Sequence, residues 1–396
     1  MSKSPHTLLV ILTLGILTAI GSISIDMYLP AFPVMAGYFA VPIVRIESTV
    51  TLFLFGMAFG QLFIGPLSDV WGRKLPLRIG MITYVICSIC CMLTHSFLIF
   101  LILRFIQGLA GSACQVISRA LVNDIYTGNN AARIFSILQI LMGISPILAP
   151  MIGGLLADAS TWRYLFLLMA VISGTGLLGC LLFLPEGKPP QADKRFNFPS
   201  VWRAYGYSIK SPAFINYALV RAVSNSAAFS FVTGSPFVLI EIYGLSKREF
   251  GFVFSGTAVG IVCIGILNTR MLKRFELRKI IRMASIIQLI SASVIILIIY
   301  YNAPLSVLLI FIFIFLSMLG FILPNATALY LIETSSVSGT ASALVGSMSY
   351  LSAFLITSLL SMLHNNTAYP VFFVMWGCVA VALICLHYRR QMERID

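Results

Sequence analysis

Thirteen acidic side chains stand in this 396-residue sequence, and Asp26 alone falls near the middle of a long apolar run, residues 8–39. A charged side chain at the centre of a bilayer costs roughly 2.5–3.5 kcal/mol on insertion scales, so such a group belongs in a cavity and has work to do there. Burial favours the protonated acid, whereas a nearby arginine favours the ionised one, and this balance lets a proton be traded against another solute. A second reading stays open, because Pro30 could end the span early and leave Asp26 at a solvated helix end. Arg104, inside the run 97–118, is the natural counter-charge, although it could equally hydrogen-bond helix carbonyls. Gln107 follows one helical turn later on the same face and could contact substrate or pair across helices. The other base within a span, Arg221, suits either snorkelling or cavity lining. We therefore assign proton coupling to Asp26 and Arg104. His6, His95, His364 and His387 all fall at span ends, so none reads as a mid-membrane proton relay.

Substrate binding is assigned to Gln107 and to the aromatics Tyr28, Phe229 and Tyr330, with Phe32 also suited to an apolar pocket; packing explains each aromatic as readily. No H-E-x-x-H zinc site and no G-x-x-x-x-G-K-[ST] phosphate loop occurs, and paired mid-span carboxylates are absent. The sequence therefore predicts neither an enzyme nor a nucleotide-driven pump, and no catalytic residue, metal or cofactor. Cys87 and Cys90 form a C-x-x-C with Cys91 beside it, but all eight cysteines lie in apolar runs and read as buried free thiols.

These residues need helices in lipid to position them. The chain is 59% hydrophobic and 10% charged, with a mean hydropathy of +0.98. Soluble proteins average about 25% charged residues, so a soluble enzyme, a secreted disulfide scaffold and a disordered chain are all excluded. Apolar stretches long enough to cross a bilayer run over 8–39, 47–67, 77–94, 97–118, 133–157 and 164–184, then 212–240, 250–269, 280–300, 304–329, 338–362 and 369–388. The first, seventh and tenth are long enough to tilt or kink. Proline supplies reasons at Pro30 and Pro33, at Pro146 and Pro150, at Pro236 and at Pro324. The first run extends well past a signal-peptide core and reads as a retained span.

With the N-terminus in the cytoplasm, twenty of the 26 Lys and Arg fall on the cytoplasmic side, four on the other, and Arg104 and Arg221 within spans. This asymmetry places both termini in the cytoplasm. It also explains the net charge of +13 by topology, without nucleic acid as a partner. The one substantial hydrophilic stretch, 186–211, separates six spans in 1–185 from six in 212–396, the organisation of a parallel-repeat transporter. Gly65 with Arg73-Lys74 is echoed by Gly265 with Lys273-Arg274.

The loop after the second span reads Gly65-Pro-Leu-Ser-Asp69-Val-Trp-Gly72-Arg73-Lys74. It resembles the signature loop of the major facilitator superfamily, G-x-x-x-D-x-x-G-R-[RK]. Its glycines suit a tight turn and close helix approach, Asp69 suits an arginine or a helix N-terminus, and Arg73 and Lys74 suit anionic headgroups. Arg104-Phe-Ile-Gln107-Gly108 resembles the family's R-x-x-[QG]-G. Ala149-Pro150-Met-Ile-Gly153-Gly154 resembles the exporters' G-P-x-x-G-G with its first glycine replaced, and small-residue packing with a kink explains the same residues.

Finer likenesses point to the Bcr/CflA drug-resistance transporters. They are Asp26-Met-Tyr-Leu-Pro-Ala-Phe-Pro33, Ser118-Arg119-Ala120-Leu-Val-Asn-Asp124, Gly234-Ser-Pro236, Tyr243-Gly-Leu-Ser246, Pro324-Asn-Ala-Thr-Ala328 and Gly339-Thr-Ala-Ser-Ala343. Asn123 departs from that family's usual basic residue. The resemblance implies an all-α membrane protein of 12 transmembrane helices in two six-helix bundles, the major facilitator fold. It further implies a monomeric, multi-pass protein of the bacterial inner membrane, surrounded by lipid, that exchanges protons for drug-like amphipathic molecules by alternating access. Metabolite or siderophore export, or nutrient–proton symport, is the alternative on the same fold. With one mid-membrane acid, about one proton per cycle is expected, and strongly cationic substrates would gain little from the membrane potential.

Overall fold

The computed structural model describes residues 5–126, 128–186, 205–206, 209–333 and 338–392. Among them are twelve helical stretches long and apolar enough to cross a membrane, within a few residues of the runs expected from hydropathy. Many large apolar side chains, such as Ile86, Leu98, Leu182 and Ile384, point outward, as a lipid-facing surface requires.

The first six spans are α1 Pro5–Asp26 continued by α2 Phe32–Phe39, α3 Ile43–Trp71, α4 Lys74–Leu93, α5 Phe97–Ile125, α6 Gly128–Ala159 and α7 Arg163–Leu182. The next six are α8 Pro212–Pro236, α9 Lys247–Met271, α10 Leu277–Tyr300, α11 Leu305–Ser317 continued by α12 Leu319–Glu333, α13 Ser338–Met362 and α14 Tyr369–Met392. Serine side chains start several of them. Ser96 accepts from the Ile99 N–H and Ser211 from the Phe214 N–H, while Ser246 and Glu249 form a reciprocal capping box at α9.

Of the four spans expected to tilt or kink, three are interrupted. The first breaks between Asp26 and a short 3-10 turn at Leu29–Ala31, and the seventh widens into a π-turn over Phe237–Ile242 after Pro236. The tenth breaks at Met318, before Pro324 rather than at it. The fifth, expected to kink, is one continuous helix that contains both Pro146 and Pro150. Of the linker 186–211, residues 187–204, 207 and 208 lie outside the described residues. Tyr205 is buried and its hydroxyl donates to the Leu62 carbonyl at 3.0 Å.

Packing repeats between the two bundles. In the first, α1 packs on α5, α6 and α7, α3 on α5, and α4 on α5 and α7. In the second, α8 packs on α12, α13 and α14, α9 on α11 and α12, and α10 on α11, α12 and α14. The sequence echo has a structural counterpart. A Cβ on Gly60 would overlap Ser112 Oγ, and one on Gly260 would overlap Ser317 Oγ, so each bundle uses a glycine–serine pair at the same crossing. The bundles meet along two pairs, α3 with α13 and α6 with α9, which is the exchange a two-fold axis along the membrane normal imposes. Among the described residues all eight cysteines are free thiols; five are buried as expected, Cys90 and Cys385 are half-buried and Cys263 is exposed.

Candidate functional site

Helix α1 ends at Asp26 because the chain turns into the Leu-Pro sequence at 29–30, and Pro30 has no N–H to give to a carbonyl one turn back. Asp26 is 7% exposed, and its carboxylate makes no hydrogen bond or ion pair among the described residues. Arg104 on α5 does reach α1, but its Nη2 donates to the Ser24 carbonyl at 2.8 Å. That carbonyl is one of those left free where the helix ends, so the guanidinium caps the negative end of α1. Of the two roles open for Arg104 in the sequence, the structure shows the carbonyl bond and no ion pair with Asp26.

The cap is rigidly held. Arg104 is fully buried, with its guanidinium carbon 4.5 Å from the ring centroids of both Tyr28 and Phe53. Its Nη1 donates to Gln107 Oε1, and Gln107 Nε2 donates to Ser88 Oγ at 2.7 Å. Ser88 donates to the Tyr84 carbonyl at 2.9 Å, and the Tyr84 hydroxyl shares a hydrogen bond with Ser24 Oγ. This closes a ring through α1, α4 and α5. Tyr28 is likewise sealed, its hydroxyl 2.8 Å from Thr49 Oγ1. In this conformation Tyr28 and Gln107 therefore present no free surface to a ligand.

One further buried acid lies in this half. Glu47, expected at the start of the second span, sits inside α3, is 2% exposed, and leaves Oε1 without a partner. The span begins at Ile43, one turn earlier than hydropathy gave, and this carries Glu47 inward.

The Pro-Gly run of α6 lies against two neighbours. A Cβ on Gly153 would overlap the carbonyl oxygen of Met27, the residue after Asp26. One on Gly154 would stand 2.5 Å from the Lys247 carbonyl oxygen, and one on Gly251 would stand 2.5 Å from that of Pro150. Lys247 Nζ also donates to the Ala157 carbonyl at 2.8 Å. Close approach of α6 to α9, beside the break in α1, thus depends on the missing side chains. Elsewhere the bundles are joined by Thr51 with Thr357 at 3.1 Å and by Ser347 donating to the Ala58 carbonyl at 2.8 Å.

In the signature loop, Gly72 has φ +80°, where a side chain is strained. Gly65 is no close approach, since a Cβ there would meet Val116 at an ordinary 3.7 Å. Arg73 bridges Asp69 at 2.5 Å and Asp124 at 2.9 Å and donates to Ser68 Oγ at 2.7 Å. Lys74 lies 3.4 Å from Glu186. Both basic residues have protein carboxylates as partners, where the sequence had suggested headgroups. The bend at Gly72 turns Arg73 back on Asp69 and Asp124.

In the second bundle, Arg221 stands nine residues into α8 and extends sideways. Its Nε donates to Thr327 Oγ1 at 3.0 Å and its Nη1 to Ser349 Oγ at 2.7 Å. Phe229, half-buried on the same helix, has its ring 6.2 Å from that of Tyr350. Tyr330 is buried edge-on to Phe214 at 5.9 Å, in a separate cluster at the end of the bundle where α8 begins. The structure thus brings Asp26, Tyr28, Arg104, Gln107, Gly153 and Gly154 to one region, and holds Tyr330 apart from it.

A family model described as Major Facilitator Superfamily matches residues 14–357. The chain is 31% identical over 365 residues to the Uncharacterized MFS-type transporter YdgK of Bacillus subtilis (strain 168), covering 92% of this chain and 90% of that one. It is 30% identical over 391 residues to the Bicyclomycin resistance protein homolog of Haemophilus influenzae, covering 98% of both chains. Among solved structures, a D-xylose-proton symporter shares the fold with a TM-score of 0.76 at 15% identity, over 96% of each chain. The protein is accordingly a multi-pass secondary transporter for small molecules and not an enzyme. Its matched residues and its motifs together place this chain in the major facilitator superfamily, with the Bcr/CflA drug-resistance transporters that its loops resemble.

Proposed function

We propose that this protein exports drugs or other amphipathic small molecules across the bacterial inner membrane in exchange for entering protons. It works as a monomer with both termini in the cytoplasm. Residues 1–185 and 212–396 rock against each other about a central site, joined by the linker 186–211. Asp26 carries the proton, Pro150 and Gly154 form the surface against α9 that separates and re-forms, and Gly153 seats α6 on Met27 within the first bundle.

The observation that carries this reading is the carboxylate of Asp26, buried at the break in α1 with no partner among the described residues. An ionised carboxylate in such a place costs several kcal/mol, so this closed arrangement suits the protonated acid. Separation of α6 from α9, at the outer end beside the break in α1, hydrates the site and lets the acid take up a proton from outside. It gives that proton up to the cytoplasm once the bundles close there and open at the other end. Arg104 turns Nη1 and Nη2 to Gln107 and the Ser24 carbonyl and forms no ion pair with Asp26.

The test uses respiring everted vesicles loaded with a pH-sensitive dye. Chloramphenicol-like, sulfonamide and lipophilic-cation drugs are added to wild type and Asp26→Asn. Drug-dependent proton release from the acidified lumen, lost in the variant, supports antiport through Asp26. If wild type moves no protons with any drug, the panel passes to amino acids and siderophores, and metabolite transport replaces drug export. Proton movement unchanged in Asp26→Asn overturns the assignment of the carrier.

A further inference from the structure

Arg221 is a cation inside the seventh span with no acidic partner among the described residues. Nine residues at 1.5 Å each put it about 14 Å from the start of α8, within the helical run Pro212–Ile242. None of α8, α13 or α14 contains an acidic residue, and α12 carries only Glu333, its last residue. No carboxylate acts on the guanidinium electrostatically.

The two hydroxyls that hold Arg221 orient it without neutralising it. Thr327 Oγ1 gives its proton to the Leu323 carbonyl at 2.7 Å, and Ser349 Oγ gives its own to Val345 at 2.7 Å. Each therefore turns lone pairs toward the guanidinium. The remaining amino group, Nη2, donates to nothing among the described residues. It is also not sealed away, unlike Nε of Arg104, which is buried without a partner.

Among the described residues, no acid of the opposing bundle acts on Arg221. Arg119 on α5 is exposed and within electrostatic reach of Arg221. One turn before it, Gln115 meets the Tyr350 hydroxyl at 3.3 Å, beside Ser349. A fixed cation with a free N–H, a second cation near it and neutral donors opposite make an acceptor for negative charge.

We propose that Arg221 docks a carboxylate on the transported molecule, so that the preferred substrates are amphipathic organic anions. This rests on the export reading above and deepens it. Export of an anion against an entering proton moves charge in the direction that an inside-negative potential drives, which gives the exchange a second source of work.

The test is equilibrium binding to the purified full-length protein by calorimetry, with no proton gradient. The probes are two matched pairs, chloramphenicol hemisuccinate with chloramphenicol and nalidixate with its methyl ester. Wild type should bind the carboxylate member of a pair about tenfold or more tightly than its neutral partner, the size of a charge-assisted hydrogen bond. Arg221→Gln should bring the two within about twofold by weakening only the carboxylate member, and Arg221→Lys should keep part of the preference, as a charge without the planar fork would. Gel filtration and thermal melting show whether each variant is folded, and Arg221→Lys carries the test if Arg221→Gln is not. The proposal is overturned if neither carboxylate exceeds its neutral partner in wild type, or if Arg221→Gln weakens both members equally. Because binding is read without transport, loss of this preference leaves Asp26 coupling standing, and failure of Asp26 coupling leaves the preference standing.

Discussion

Arg104 Nη2 donates to the Ser24 carbonyl at 2.8 Å, while the Asp26 carboxylate two residues further along the same helix has no ion-pair partner among the described residues. The arginine stabilises the end of a helix by satisfying backbone that the Pro30 break leaves bare. The acid stays free to gain and lose a proton. Two charges that look like a pair in the sequence thus act separately, one structural and one available for chemistry.

Replacing Arg104 should therefore damage stability first. Arg104→Ala leaves the Ser24 carbonyl and the Gln107 amide without their buried partner, a loss of about 1–3 kcal/mol for each such group. Arg104→Lys keeps the charge but lacks the planar fork that reaches both acceptors while lying against Tyr28 and Phe53, so it should recover only part of the loss. Asp26→Asn breaks no contact and should melt within a degree or two of wild type. Thermal unfolding of the three variants in detergent checks the order. An Asp26→Asn loss as large as that of Arg104→Ala would mean that the acid is structural.

In the signature loop the two carboxylates on Arg73 should be unequal. Asp124 has a side chain 4% exposed and accepts from Nε at 2.9 Å, whereas Asp69 is 62% exposed. A largely buried charge-assisted hydrogen bond contributes about 1.5–3 kcal/mol, and an exposed pair about 0–1. Double-mutant cycles of Arg73→Gln with Asp124→Asn and with Asp69→Asn should give a coupling energy at least twice as large for the first. Equal couplings would show that water reaches both pairs alike.

Glu47 offers a stabilising substitution. Its Oε1 is buried with no partner, so the protein bears a desolvation cost that folding does not repay there. Glu47→Met, similar in length and apolar, should raise stability by about 1–3 kcal/mol. A fall in melting temperature would show that the carboxyl has a partner in the folded protein, water included.

Hydropathy located the twelve spans because lipid imposes a length and an apolar composition on every crossing. It misplaced the start of α3 by one turn, because Pro42, Arg45 and Glu47 depress the local average although the helix already runs through them. That one turn hid a buried acid. Motif resemblance brought Asp26, Arg104, Gln107 and the α6 glycines to attention, but their partners depend on depth and rotation of helices far apart in sequence. Ser24, Tyr84 and Ser88 carry no signal of the ring they form with Arg104, since a small hydroxyl mid-helix commonly bonds its own backbone. Thr327, although part of a noted likeness, and Ser349 carried no signal that they hold Arg221, for the same reason. Tyr330 was named as an aromatic that could line an apolar pocket, and its contact with Phe214 shows that it belongs to a different cluster from Tyr28.

The α6–α9 crossing yields the most direct test of motion between the bundles. Gly154 and Gly251 each face a carbonyl oxygen of the other bundle at 2.5 Å from where a Cβ would stand, too close for a methyl group without movement of backbone. Gly154→Ala or Gly251→Ala should therefore force the helices apart at the end where α9 begins and leave the α3–α13 contacts of Thr51 with Thr357 under tension. Because the two glycines belong to one contact, the double variant should separate the helices little more than either single one. Spin labels at exposed positions such as Leu155 on α6 and Phe252 on α9 report this separation by pulsed electron resonance. Each alanine should lengthen the mean distance or populate a second, longer one, and should slow exchange by disfavouring the closed arrangement. Gly256→Ala, on the same helix with open space around its Cβ position, should leave the distance distribution unchanged. If Gly154→Ala and Gly251→Ala also leave it unchanged, the crossing is loose enough to absorb a methyl group, and the glycines do not set how closely the bundles approach.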